Sequence, residues 1–200
     1  MIHLARHAET TANAAGQLVG SGLDPGLTER GWEQAQRLAA AVTARTVPRR
    51  IICSPLARTQ ETASLVADQL GIVIETDDRL REIAYGEWEG LGVAHLASPE
   101  GRRWRTDPTF APPGGESLRA VSERVAAVCE ELVDGVAVEH DVLLVSHVSP
   151  IKAAVAWAIG ADESVVWRMF LANASITTIG VRPEGQPFLA GFNDTAHLNA

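Results

Sequence analysis

The chain holds only two cysteines among its 200 residues, Cys53 and Cys129. That is too few for a disulfide scaffold. Both stand in apolar patterns, which predicts buried free thiols and not catalytic ones. Long apolar runs are lacking too. None approaches the roughly 18 residues of a membrane span, and Met1-Ile2-His3-Leu4-Ala5-Arg6 has no secretory apolar core. The expectation is a cytoplasmic protein without a membrane partner. An excess of basic charge is also missing: 17 basic against 25 acidic side chains leave a net charge of −8. That argues against nucleic acid as a partner. It leaves room for a phosphorylated substrate, provided that a few cations gather in one pocket. No repeat, low-complexity block or linker divides the chain, so residues 1–200 are expected to form a single domain.

Short apolar runs alternate with helical patterns. Ile2-His3-Leu4-Ala5 reads as a strand. A helix follows from about Thr28 to Ala44, with Trp32, Ala35, Ala39 and Val42 at helical spacing. Arg50–Cys53 is a second strand, and Pro55 opens a helix whose stripe is Leu56, Ala63, Val66 and Leu70. Gly71 ends that helix, and Ile72-Val73-Ile74 makes a third strand. Residues from about 84 to 113 lack a sustained period and read as an irregular excursion with one short helix. Leu118, Val121, Val125, Val128 and Leu132 define the clearest helix. Asp141–Ser146 is apolar enough for a strand covered on both faces. Pro150 opens a helix that includes Val155 and Ile159, and strands follow at Ile176–Val181 and Phe188–Phe192. This alternation predicts an α/β fold: a three-layer α/β/α sandwich around a mostly parallel sheet.

Ligands of such sheets bind beyond the carboxyl ends of strands. Three segments occupy such ends: Arg6-His7-Ala8-Glu9-Thr10 with Asn13, Ser54-Pro55-Leu56-Ala57-Arg58, and Ser146-His147-Val148-Ser149-Pro150. Two arginines and two histidines at neighbouring strand ends suit phosphoryl transfer. A neutral imidazole is a competent nucleophile at phosphorus. Arg6 and Arg58 would keep His7 uncharged and match the charge of the transferring group. A protonated His147 could donate to a phosphate oxygen, and the helix near Pro55 would add a positive dipole end. The departing alcohol needs a proton from a carboxylic acid. Glu82 is the candidate, and spacing alone places Glu9 nearly level with it.

Taken together, these residues resemble the histidine phosphatase superfamily, also called phosphoglycerate mutase-like. Its opening signature is matched by Arg6-His7-Ala8-Glu9-Thr10 and Asn13. Leu27-Thr28-Glu29-Arg30-Gly31, the segment from Ser54 to Ala63, the segment from Leu80 to Gly90, Gly114-Gly115-Glu116-Ser117 and Val145-Ser146-His147 follow in order. The resemblance covers nearly the whole chain. It implies that His7 is the phosphorylated nucleophile and that Arg6, Arg58 and His147 bind the phosphoryl group. It implies further that Glu82 is the proton donor and that Asn13 is a secondary phosphate contact. No metal or other cofactor is implied. The implied activity is hydrolysis of a small-molecule phosphomonoester through phosphohistidine, and a homodimer stays open.

Two departures from the family pattern stand out. Ala8 replaces a glycine, which would be strained if its φ were positive. Val148-Ser149-Pro150 replaces Gly-Gly after His147, so Val148 should narrow the phosphate side of the pocket and Pro150 removes an amide. The excursion at 84–113 is expected to cover the site and set specificity. Its Trp88, Trp104 and Phe110 either line a leaving-group pocket or anchor the loop, and Arg102, Arg103 and Arg105 read as a solvated face. Phe192–Leu198 is expected to dock the terminus, with His197 structural. Three other readings are carried forward: a mutase, a non-catalytic phosphate-binding module, and a metal hydrolase built on His3, His7 and Asp194. The segment Glu82-Ile83-Ala84-Tyr85-Gly86 departs from the Glu-Arg-His-Tyr-Gly by which mutases of this family resemble one another.

Overall fold

The computed structural model describes residues 1–134 and 140–199. Strand β1 (Ile2–Arg6) leads through a single helical turn, α1 (Thr11–Ala14), to helix α2 (Glu29–Arg45) and strand β2 (Arg50–Cys53). Helix α3 (Ala57–Leu70) and the short strand β3 (Ile74–Thr76) follow. The 84–113 stretch holds two 3-10 turns, Gly86–Trp88 and Val93–Ala97, and helix α4 (Pro99–Thr106). Helix α5 (Leu118–Asp134), strand β4 (Val142–Ser146), helix α6 (Val148–Ala158) and strands β5 (Ile176–Val181) and β6 (Pro187–Asp194) follow, with further 3-10 turns at Asp78–Leu80, Glu163–Arg168 and Ala196–Leu198.

The six strands lie in the order β3-β2-β4-β1-β5-β6. The first four are mutually parallel, while β5 runs against β1 and β6 against β5. The predicted three-layer α/β/α arrangement is therefore present, with a mixed sheet that is parallel where the reactive segments emerge. Side chains alternate across it as the pleat demands. Ala5, Ile51, Cys53, Leu143 and Val145 face α2 and α3. Ile2, Leu4, Ile52, Val142 and Leu144 face α5 and α6. Full burial of each aliphatic chain in these two cores is worth about 1.5–3 kcal/mol.

Local chemistry sets the helix ends. The Thr28 hydroxyl accepts the Gly31 amide at 2.9 Å to start α2, and Gly71 closes α3 in the left-handed region at φ 66°. Several expected boundaries shift. Trp32 is exposed, and Leu38 takes the buried place on α2. Helix α3 starts at Ala57, two residues after Pro55. Strand β3 starts at Ile74, because Ile72 and Val73 complete the turn out of α3 and Val73 is exposed. Helix α6 starts at Val148, so Pro150 is its third residue and its missing amide would have had no partner inside the helix. Ile159 lies just past the end of α6 and is exposed.

Candidate active site

Strands β2, β4 and β1 lie side by side, and each releases a chemically equipped segment at the same level. Arg6 pairs with Ser146 and Cys53 with Val145 in the parallel register. The His7 amide donates to the Ser146 carbonyl at 3.0 Å, and the Ser54 amide to the Val145 carbonyl at 3.0 Å. The next residues therefore project together. The His7 and His147 ring centroids stand 5.2 Å apart at 58°.

His7 is buried, and its Nδ1 lies 2.7 Å from the Ala8 carbonyl oxygen. A carbonyl only accepts, so Nδ1 carries the proton and Nε2 of the neutral ring keeps its lone pair. Burial, then the charges of Arg6 and Arg58, hold the His7 pKa well below the ordinary histidine value; the Ala8 hydrogen bond opposes them. The backbone is braced from both sides. The Ala8 amide donates to Thr62 Oγ1 at 3.1 Å, and the His7 carbonyl accepts from the Ala174 amide and from Asn173 Nδ2, each at 3.2 Å. Ala8 is absent from the described residues with positive φ, so replacing the family's glycine carries no left-handed strain.

The two arginines are each held by backbone carbonyls. Arg6 Nη1 donates to the Leu171 carbonyl at 2.7 Å. Burial, with the Arg58 charge adding and the Glu82 charge opposing, lowers the Arg6 pKa to about 10, so it stays cationic at neutral pH. The Arg58 side chain is only 1% exposed. Its Nη1 donates to the Leu23 carbonyl and the Asp24 carboxylate, and its Nη2 to the Gly20 carbonyl. Asp24 also accepts the Ala57 amide at 2.6 Å. The N-terminus of α3, expected to lend its dipole to the substrate, thus faces the Asp24 carboxylate.

His147 is buried, and its Nε2 lies 2.8 Å from Ser54 Oγ. Burial, followed by His7 and the arginines, pushes its pKa well below the ordinary value. The protonated form of His147 is thus disfavoured, because three neighbouring arginine charges act on a group already stripped of water. Glu82 is oriented by three backbone amides: Oε1 accepts from Ile83 at 2.9 Å and Ser149 at 3.1 Å, and Oε2 from Val148 at 3.0 Å. Glu9 is separated from it. Its carboxylate accepts from Thr28 Oγ1 and pairs with Arg30 on another face.

A cavity of about 370 Å³ opens over His7. Arg6, Asn13, Glu82 and Val148 line it with His7, while the buried Arg58 and His147 are not part of that lining. Asn13 Oδ1 accepts from the Thr10 amide and from Asn173 Nδ2, so its hydrogen bonds to these groups use the oxygen and not the amide nitrogen. Val148 contributes its side chain, because its amide is already donated to Glu82. Tyr85, Val93, Leu96 and Trp104 bring the 84–113 excursion into the wall. Trp104 thus lines the cavity. Trp88 and Phe110 instead pack with it in an aromatic cluster that anchors the loop. Arg102, Arg103 and Arg105 are exposed, and Arg103 lies over the Phe110 ring.

Lys152, Asn173 and Gln17 also line the cavity and were not singled out from the sequence. Lys152 was legible, since it stands four residues after Val148 and so on the same helical face. Asn173 follows no pattern and is brought in by the loop before β5. The trio His3, His7 and Asp194 does not assemble. His3 bonds Thr178 and pairs with Asp141, whereas Asp194 pairs with Arg45. No group of three potential metal ligands occurs among the described residues. Burial pushes the Cys53 and Cys129 thiols up to about 12, consistent with inert core residues. His197 is buried, and its Nε2 donates to the Ala174 carbonyl at 2.9 Å, the structural part expected of it. No helix among the described residues is long and apolar enough to cross a membrane.

Comparison with known proteins agrees with this geometry. The model of the histidine phosphatase superfamily (branch 1) matches residues 2–195. A bifunctional protein of Mycobacterium tuberculosis is 35% identical over 98% of the chain, but the chain spans only 54% of that protein's length. Phosphoserine phosphatase 1 of Hydrogenobacter thermophilus is 36% identical over 98% of the chain and 92% of its own. Among solved structures, a mycobacterial glucosyl-3-phosphoglycerate phosphatase in complex with VO3 superposes with a TM-score of 0.87. It is 31% identical, with 97% of this chain and 98% of that one covered.

Proposed function

The chain belongs to branch 1 of the histidine phosphatase superfamily, and from that premise we propose that it hydrolyses small phosphomonoesters through a phosphohistidine at His7. One observation carries the reading. Around a neutral His7 stand three buried nitrogens without a protein partner among the described residues: Arg6 Nε, Arg58 Nε and His147 Nδ1. A buried polar group left unpaired costs about 1–3 kcal/mol, and a tetrahedral oxyanion satisfies several at once. The relatives named phosphoserine phosphatase and glucosyl-3-phosphoglycerate phosphatase support a small phosphorylated metabolite as substrate.

In the first step, His7 Nε2 donates its lone pair to phosphorus, and the bond to the ester oxygen breaks in line. Glu82 gives its proton to that oxygen, so a neutral alcohol leaves. Arg6, Arg58 and His147 hold the three non-bridging oxygens, with Asn13 beside them. In the second step, the Glu82 carboxylate takes a proton from water, the water oxygen bonds to phosphorus, and the phosphorus–nitrogen bond breaks. The proton given up in the first step is thereby returned to Glu82, and His7 regains its lone pair. Every group comes from the chain, so no metal is required. Residues 1–200 act as one domain in this reading, and the 84–113 stretch shapes the space for the leaving alcohol.

The test is phosphate release from a panel of phosphomonoesters by the parent and by His7→Ala, with and without a chelator. We expect release by the parent alone, insensitivity to the chelator, and an acid-labile, alkali-stable phosphoenzyme on rapid quenching. Tight binding of esters without release would leave a phosphate-binding module in its place.

A further inference from the structure

Lys152 is the only lysine of the chain, whose remaining 16 basic side chains are arginines. It sits on α6 four residues after Val148, half-buried, and lines the same cavity as His7 and Glu82. Its ammonium has no hydrogen-bond or ion-pair partner among the described residues. Only the longer-range charges of Glu82 and Arg6 act on it, and burial lowers its pKa. Nothing in the phosphoryl-transfer steps uses it.

The position relative to the reaction is informative. The leaving oxygen must lie at Glu82, which delivers its proton, so the body of the leaving alcohol extends into the part of the cavity beyond Glu82. Glu82 is fastened to the first turn of α6, and Lys152 is one turn further along the same face. A partly desolvated cation without a counter-ion stands where that alcohol must be accommodated. A lone ammonium is a compact point charge, in contrast to the forked arginines that grip the phosphoryl oxygens. One such charge balances a monoanion.

We propose that Lys152 is a specificity residue whose ammonium binds a carboxylate on the leaving alcohol, so that phosphorylated hydroxy acids and hydroxy amino acids are preferred. The proposal rests on the phosphomonoesterase reading above and names the substrate class for that same site. The remaining wall suits such a leaving group: Leu18, Val93, Leu96 and Trp104 offer apolar contact to a short carbon chain.

The test uses matched esters. O-Phosphoserine and O-phosphoethanolamine differ by one carboxylate, and glycerol 3-phosphate carries a hydroxymethyl group where 3-phosphoglycerate carries its carboxylate. For each pair the ratio of kcat/KM values is measured in the parent, in Lys152→Met and in Lys152→Arg. Because both members are read on the same protein, any general loss of folded enzyme cancels. A charge-assisted hydrogen bond predicts a parent ratio of about 10 or more, expressed mainly in KM. Lys152→Met brings the ratio close to one, and Lys152→Arg restores part of it.

Equal ratios in parent and Lys152→Met overturn the assignment and leave the phosphatase reading intact. Absence of phosphate release from every ester by the parent overturns both. Should Lys152→Met fail to fold, His7→Ala protein is reductively methylated with 13C, which labels Lys152 and the amino terminus alone. The Lys152 methyl resonance then shifts with 3-phosphoglycerate and not with glycerol 3-phosphate; identical responses to the two overturn the proposal.

Discussion

The carboxylate of Glu82 accepts the amide of Val148 at 3.0 Å, across 66 residues of sequence. Together with the amides of Ser149 and Ile83, this contact fixes a loop carboxyl to the first turn of α6. In the proposed reaction, that fixed orientation would present a side chain outside the sheet to His7 at the end of β1.

Replacing that carboxyl separates its chemical part from its structural one. Glu82→Gln is expected to slow hydrolysis of alkyl phosphates by about 10²–10⁴, the usual contribution of a positioned acid. The loss of kcat/KM with p-nitrophenyl phosphate should be far smaller, since that ratio reports steps up to departure of the alcohol and p-nitrophenolate leaves without a proton. Equal losses of kcat/KM with both esters would remove Glu82 from protonation of the leaving group.

Ser54 holds the ring of His147 through the 2.8 Å contact to Nε2. Ser54→Ala leaves a buried imidazole nitrogen without its partner, at a cost of about 1–3 kcal/mol in stability. The freed ring also weakens the grip on the phosphoryl group, so kcat/KM should drop about tenfold or more. Urea denaturation and kinetics on one preparation check both.

Acid should weaken the fold by a calculable slope. His7 and His147 have folded pKa values held well below the usual 6.5. Below that value the unfolded chain takes up protons that the folded protein refuses. The stabilisation is therefore complete above 6.5 and is lost as pH falls toward the folded values. The slope is about 1.4 kcal/mol per pH unit for each histidine. Urea midpoints measured from neutral to acid pH should show a shallower fall in His147→Gln than in the parent. The same lowering favours neutral His7, so, with His7 as the proposed nucleophile, its acid limb of kcat/KM should lie below the ordinary histidine range.

Gly86 lets the two ends of the 84–113 excursion approach each other. Its φ is 55°, and an added Cβ would stand 2.1 Å from the Pro113 carbonyl oxygen. That neighbour is backbone and cannot rotate away. Gly86→Ala is expected to destabilise by about 2–4 kcal/mol, from strain and overlap together. A thermal-denaturation midpoint within error of the parent would contradict it.

Much of the fold was readable because periodicity survives in the chain as written. The stripe from Leu118 to Leu132 is buried as expected on α5, and the run Val142–Ser146 is covered on both faces. Boundaries were less readable. Whether Ile72 and Val73 extend a strand or complete a turn depends on where α3 delivers the chain to the sheet edge, and no local propensity encodes that. Trp32 fits the helical period yet is exposed, since it lies at the margin of the buried stripe and Leu38 fills the core.

The order of residues by itself determined the kinds of chemistry available: an imidazole beside an arginine at one strand end, a second such pair from two later strands, and a carboxylate near Tyr85-Gly86. Those are matters of composition at local spacing, which short-range patterns carry. Only the tertiary structure decided which nitrogen of His7 bears the proton, that Glu82 and not Glu9 faces the cavity, that burial disfavours a charged His147, and that Lys152 shares the site. Each of these depends on burial and on groups up to 166 residues apart, such as Asn173 and the His7 carbonyl. Desolvation and long-range hydrogen bonds exist only once the sheet has brought the strand ends together.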